Sequence, residues 1–179
     1  MQAFLLSVSL LILAFTFSLS LRGKLKTFGS FVQTVQGLTG LPKPADEAVS
    51  IAVLMLEAAA IISLIAYPPI GFSLSLALLL VFTAALIWMI TKQGRAACNC
   101  FGVKKIASTW TDVLRNIFLI SVAATGLAIA KSGSSNLSSL SVQEFAASIL
   151  VASALLVFVL NLKRLQTALL MHKPLKELA

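Results

Sequence analysis

Charge is scarce in this chain: 11% of its 179 residues are Asp, Glu, Lys or Arg, and acids number only six. A soluble domain carries roughly 25%. With 59% hydrophobic residues and a mean hydropathy of +0.99, the apolar excess has to face lipid rather than water. Nucleotide- and metal-binding signatures are missing too, since no P-loop, G-x-G-x-x-G or zinc-ribbon spacing occurs. The single histidine, His172, reads as a solvated tail residue, so no metal is expected. Cysteine is limited to Cys98 and Cys100, which makes that pair all the thiol chemistry available. The net charge of +8 is topological in a membrane protein, because Lys and Arg are retained in cytoplasmic loops; no nucleic-acid partner is expected.

What is present is a set of long apolar runs. A spanning helix needs about 20 apolar residues, and windows at 3–21, 48–67, 70–90, 112–130 and 145–162 meet or approach that. The expected fold is therefore all-α, a polytopic membrane bundle of about five transmembrane helices. The first window has no basic stretch before it, and Arg22, Lys24 and Lys26 follow it, so it reads as a retained span rather than a cleaved signal. Pro68-Pro69 predicts a tight reversal between spans two and three. Twelve of the fourteen bases fall in loop one, loop three or the tail. That bias puts the N-terminus outside, the C-terminus inside and the Cys98/Cys100 loop near the cytoplasmic face of the inner (plasma) membrane. Phe28, Phe31, Val32, Val35 and Leu38 recur at helical spacing in loop one. They predict a short amphipathic helix, lying in the interface or packed on the bundle.

Two features can carry chemistry. The first is Cys98-Asn99-Cys100-Phe101-Gly102, followed by Trp110 and Arg115-Asn116. Thiols one residue apart meet the Cα separation a disulfide requires. The small ring favours the dithiol, so its disulfide is readily exchanged. Lys104, Lys105 and Arg95 favour thiolate if close, and Gly102 can supply a turn that presents the pair. Equally open is a plain packing role for two buried cysteines. The second feature is Glu57, in the middle of span two, where a carboxylate costs a few kcal/mol and needs a partner. Arg115, placed inside the start of span four, is the expected partner, and the pair either fixes helix packing or supports proton exchange.

These residues resemble the MauE proteins, a methylamine-utilisation membrane family related to DoxX. The likeness rests on Cys-Asn-Cys-Phe-Gly after a third span, Trp110, Arg115-Asn116 and the intramembrane Glu57. Leu21-Arg22-Gly23-Lys24, Phe31, Val35 and Leu41-Pro42 add to it more weakly. It covers roughly residues 1–130 as a four-helix core, leaving 131–179 as a Ser-rich loop, a fifth span and a basic tail. The resemblance implies a redox-associated accessory protein for maturation of methylamine dehydrogenase, acting beside a thioredoxin-like partner. It makes Cys98 and Cys100 the exchange pair, with Glu57, Arg115, Asn116, Gly102 and Phe101 as supports. No cofactor is expected; a quinone or another dithiol stays open as the second electron acceptor, and no span carries a quinone signature. The base count sits awkwardly with this role, because periplasmic disulfide assembly needs the thiols outside. A re-entrant loop, reductant drawn from the cytoplasm or the opposite orientation would each reconcile the two. The rival readings are a non-catalytic assembly scaffold and, less favoured without inverted repeats, a small solute carrier built around Glu57.

Overall fold

The computed structural model describes residues 1–40, 42–92, 110–132 and 141–171. These form six helices: α1 (Gln2–Lys26), α2 (Phe28–Thr39), α3 (Lys43–Ala66), α4 (Pro68–Lys92), α5 (Trp110–Lys131) and α6 (Val142–Met171). No strand occurs among the described residues. α1, α3, α4 and α5 are each long and apolar enough to cross a membrane, and α6 carries a shorter apolar stretch, Val142–Val157. The expected all-α membrane bundle is therefore present, with four helices of spanning length and a shorter apolar fifth. Apart from α3, which stops at Ala66 ahead of Pro68, each helix runs beyond both ends of its apolar window, because lipid specifies only the apolar part while backbone hydrogen bonding continues to the next breaker.

Local chemistry places those breaks. α1 stops at Thr27, whose N–H and hydroxyl both donate to the Gly23 carbonyl, at 3.2 and 3.0 Å. α2 ends at Gly40, which takes the left-handed conformation (φ 65°) and donates to the Gln36 carbonyl at 2.9 Å. A left-handed cap followed by Pro42 is a strong stop. At the α3–α4 reversal, Tyr67 precedes Pro68 and adopts φ −146°, ψ 82°, outside the helical region that a following proline disfavours. The hairpin is so tight that a Cβ on Gly71 would lie 2.3 Å from the Leu64 backbone nitrogen. α6 opens with a reciprocal cap: Ser141 N–H donates to Glu144 Oε2 at 3.0 Å, and Glu144 N–H donates to Ser141 Oγ at 3.3 Å.

α1 is the hub, packing on α3, α5 and α6, while α3 packs on α4 and α4 on α5. One buried cluster joins Leu6, Leu13 and Phe17 of α1 to Leu64, Phe72, Leu119 and Ala152. α6 docks on α1 rather than chiefly on its sequence neighbour α5, and Ser7 and Ser148 hydroxyls share a hydrogen bond of 2.7 Å there. The amphipathic segment is helical as expected: its apolar face packs on the bundle, with Phe31 and Val35 buried against Leu54. Leu38, near its end, packs against Leu86, Met89 and Val113. That contact gathers the end of α2, the end of α4 and the start of α5 at one end of the bundle, here termed the loop end.

The exposed tyrosine and tryptophans fall near the ends of the apolar helices. Tyr67 lies at the hairpin end, and Trp88 and Trp110 lie at the loop end, the distribution expected at membrane interfaces. Glu57 precedes Tyr67 by ten residues on α3, about 15 Å of helical rise, or half the ~30 Å hydrocarbon thickness.

Candidate functional site

Glu57 is fully buried, and the cation that meets it comes from α1. Lys24 Nζ forms a salt bridge and hydrogen bond with Glu57 Oε1, and Ser20 Oγ donates to the same oxygen at 3.1 Å. Ser20 and Lys24 are four residues apart, so one face of α1 presents both to α3. Two aromatic rings also hold the ammonium: its nitrogen lies 4.1 Å from the centroid of Phe82 on α4 and 5.2 Å from that of Phe31 on α2. Four helices thus converge on one charge pair. Among the described residues, Glu57 Oε2 is buried with no hydrogen-bond partner.

This corrects two expectations. Arg115 is not the partner of Glu57; it sits in the first turns of α5, where its Nη1 lies 3.9 Å from Asp112 Oδ1. Lys24 is not a loop base but part of α1, 2% exposed, and the loop-side tally of twelve loses one. The physical reason is reach. A lysine placed just beyond an apolar window can extend its four-carbon stem along the helix and deliver its ammonium to a carboxylate deeper in the bundle. Thr16, Ser20 and Lys24 at four-residue spacing give the signal that was readable in advance, since all three lie buried on one stripe of α1.

A second buried carboxylate, absent from the expected site, lies on the same helix. Asp46 is fully buried at the loop end; Thr39 Oγ1 donates to its Oδ1 at 2.6 Å, and its Oδ2 has no hydrogen-bond partner among the described residues. Ser50, also fully buried, donates to the Asp46 carbonyl at 2.7 Å. Its charge in the first turn of α3 looks like ordinary helix-start acid in the sequence, which is why spacing alone did not single it out.

Of the other expected site residues, Asn116 is buried on the inward face of α5 with Val113, Leu119 and Ala123. Cys98, Cys100, Phe101 and Gly102 lie outside the described residues. Their segment leaves α4 after Lys92 and rejoins the bundle at Trp110, so both attachment points are at the loop end. Asp46 and the end of α2 are at that end as well.

A family model described as methylamine utilisation protein MauE matches residues 1–129. The chain belongs to this family. The match runs from α1 almost to the end of α5 and leaves α6 beyond it. No curated protein and no solved structure matches the chain. Membership, together with the four long apolar helices, makes this a multi-pass membrane protein of the methylamine-utilisation type, in contact with lipid along its exposed apolar faces. For a MauE chain, the Lys24–Glu57 pair is the best-defined polar site among the described residues. Its geometry binds α1 to α3, with α2 and α4 supplying the rings around the ammonium.

Proposed function

We propose that this protein is an inner-membrane accessory factor in which Cys98 and Cys100 exchange electrons with a thioredoxin-like partner while a client enzyme of methylamine metabolism matures. In the exchange, one thiolate attacks a partner disulfide to give a mixed disulfide. The second cysteine then attacks that bond, forming the Cys98–Cys100 disulfide and releasing the partner as a dithiol. Two electrons pass to the partner, and no proton is gained or lost overall. The reverse direction reduces Cys98 and Cys100 by the same steps.

The observation that carries this reading is the pair itself: in a chain of the MauE family with no other cysteine, both thiols sit one residue apart on the segment linking α4 to α5. Phe101 and Gly102 complete that segment's C-x-C-F-G motif, and Arg115 and Asn116 lie within two turns of its return to the bundle. In this reading the Lys24–Glu57 pair acts as a support that keeps α1, α3 and α4 in register. The positive-inside bias places the N-terminus outside and the thiols at the cytoplasmic side.

Single variants Cys98→Ser and Cys100→Ser, expressed in the native membrane, test the exchange. One of the two is expected to accumulate a covalent partner complex on non-reducing gels that dithiothreitol dissolves, because the resolving thiol is gone. Absence of any complex from both variants, with full client maturation in the double serine variant, would overturn the proposal in favour of a scaffold.

A further inference from the structure

We propose that α3 carries a proton relay in which Asp46 passes protons between the loop end of the bundle and Glu57, so that the Lys24–Glu57 pair is a proton-accepting site inside the membrane. It does not depend on the thiol reading.

Position on the helix comes first. Asp46, Ser50 and Glu57 fall on one stripe of α3, because four and eleven residues bring side chains close to the same angular position. All three are fully buried. Both carboxylates keep one oxygen, Asp46 Oδ2 and Glu57 Oε2, buried with no hydrogen-bond partner among the described residues, although buried polar atoms are as a rule satisfied. Two such oxygens on one face of one helix are acceptors positioned for a proton. Ionisable groups facing the interior of a membrane bundle mark ion pathways and proton relays.

The surroundings of Lys24 supply the second support. When a carboxylate in an ordinary buried ion pair takes up a proton, the cation is left bare, at large cost. Here the ammonium also lies against the faces of Phe82 and Phe31, at 4.1 and 5.2 Å. Such contacts attract a desolvated cation through the negative face of the ring. The site can therefore exist as ammonium with carboxylate or as ammonium with carboxylic acid. Among the described residues, the charged group that meets Glu57 is Lys24 of α1; α2 and α4 contribute the two rings, and Arg115 of α5 pairs instead with Asp112.

The step balances as a proton transfer. A proton arriving at the loop end adds to the Asp46 carboxylate, leaves it through water past Ser50, and adds to Glu57 Oε2; Asp46 is restored as carboxylate and the site gains one positive charge. No electron moves. Ser50 and Glu57 are two turns apart, and the proposed relay requires water between them.

The full chain reconstituted in liposomes is the test material, with two readouts. Dicyclohexylcarbodiimide, an apolar reagent that modifies protonated carboxyls, is expected to give an adduct mapped by mass spectrometry to Glu57, increasing as pH falls. In acid-jump infrared measurements, the protonated-carboxyl band that disappears in Glu57→Gln is expected to rise on the order of a hundredfold more slowly in Asp46→Asn, as for loss of a positioned proton-transfer group. The adduct is read on the unaltered protein, so the result does not hinge on a variant folding. Absence of an adduct at Glu57 at every pH would overturn the proton-accepting site. An infrared rate unchanged in Asp46→Asn would overturn the route.

Discussion

Replacing Lys24 with Met is expected to destabilise the bundle by about 3–5 kcal/mol, the cost of leaving a buried carboxylate without its cation. The loss should appear in denaturant titrations of the detergent-solubilised protein. Among the described residues, Ser20 is the only other hydrogen-bond donor to Glu57, and one hydroxyl at 3.1 Å does not replace an ammonium. Substituting both residues, Lys24→Met with Glu57→Leu, is expected to recover most of the stability, because apolar side chains of similar volume need no partner in this interior. The single variant should also regain stability as pH falls, since the stranded carboxylate takes up a proton and its charge is lost. A double variant as unstable as Lys24→Met alone would mean that packing volume, not charge, is what the pair supplies.

The other large effect concerns backbone approach. Gly71→Ala is expected to disrupt the α3–α4 hairpin, because the new Cβ would lie 2.3 Å from Leu64 N and 2.4 Å from Leu64 Cα, both backbone atoms that cannot rotate away. The cost belongs at or above the upper end of the ~1–3 kcal/mol typical of overpacking. Gly126→Ala meets the ring of Phe72 at 2.2 Å instead, and that ring is fully buried, so this variant also loses stability but by less, a side chain having rotamers to shift into. Gly29 has nothing within 4 Å of a built Cβ. Gly29→Ala therefore serves as the control, expected to melt at or above the unaltered protein because alanine favours helix. Tm values for the three in one detergent would rank them.

The span pattern was legible in the sequence because lipid imposes a simple rule, and windows such as 70–90 needed only a count of apolar residues. Pro68-Pro69 marked its reversal by chemistry local to two residues. Glu57 stood out for the same reason, as a charge where none belongs. Its partner did not, because partner choice is tertiary: Arg115 and Lys24 are both bases near the ends of apolar runs, and only the packing of α1 against α3 decides between them. Asp46 shows the complementary limit. Its burial depends on α2 folding back so that Thr39 meets it, a contact with no periodic signature. The amphipathic pattern from Phe28 to Leu38 identified the helix but left open what its apolar face covers; contact with Leu54 answers that.

The base tally is also affected by these contacts. A lysine drawn into a bundle to neutralise a carboxylate carries no topological information, so positive-inside counts are better made after buried pairs are removed. Here the bias survives the loss of Lys24, because Arg22 and Lys26 on the same helix end remain exposed.

Quench-alkylation in sealed membranes tests thiol cycling most directly. After an oxidising pulse, a maleimide mass tag is expected to add to neither Cys98 nor Cys100. After a reducing pulse it should add to both, with the unmodified and doubly tagged forms interconverting in successive cycles. Two tags under every condition would show that the sulfurs never pair, and would contradict the account.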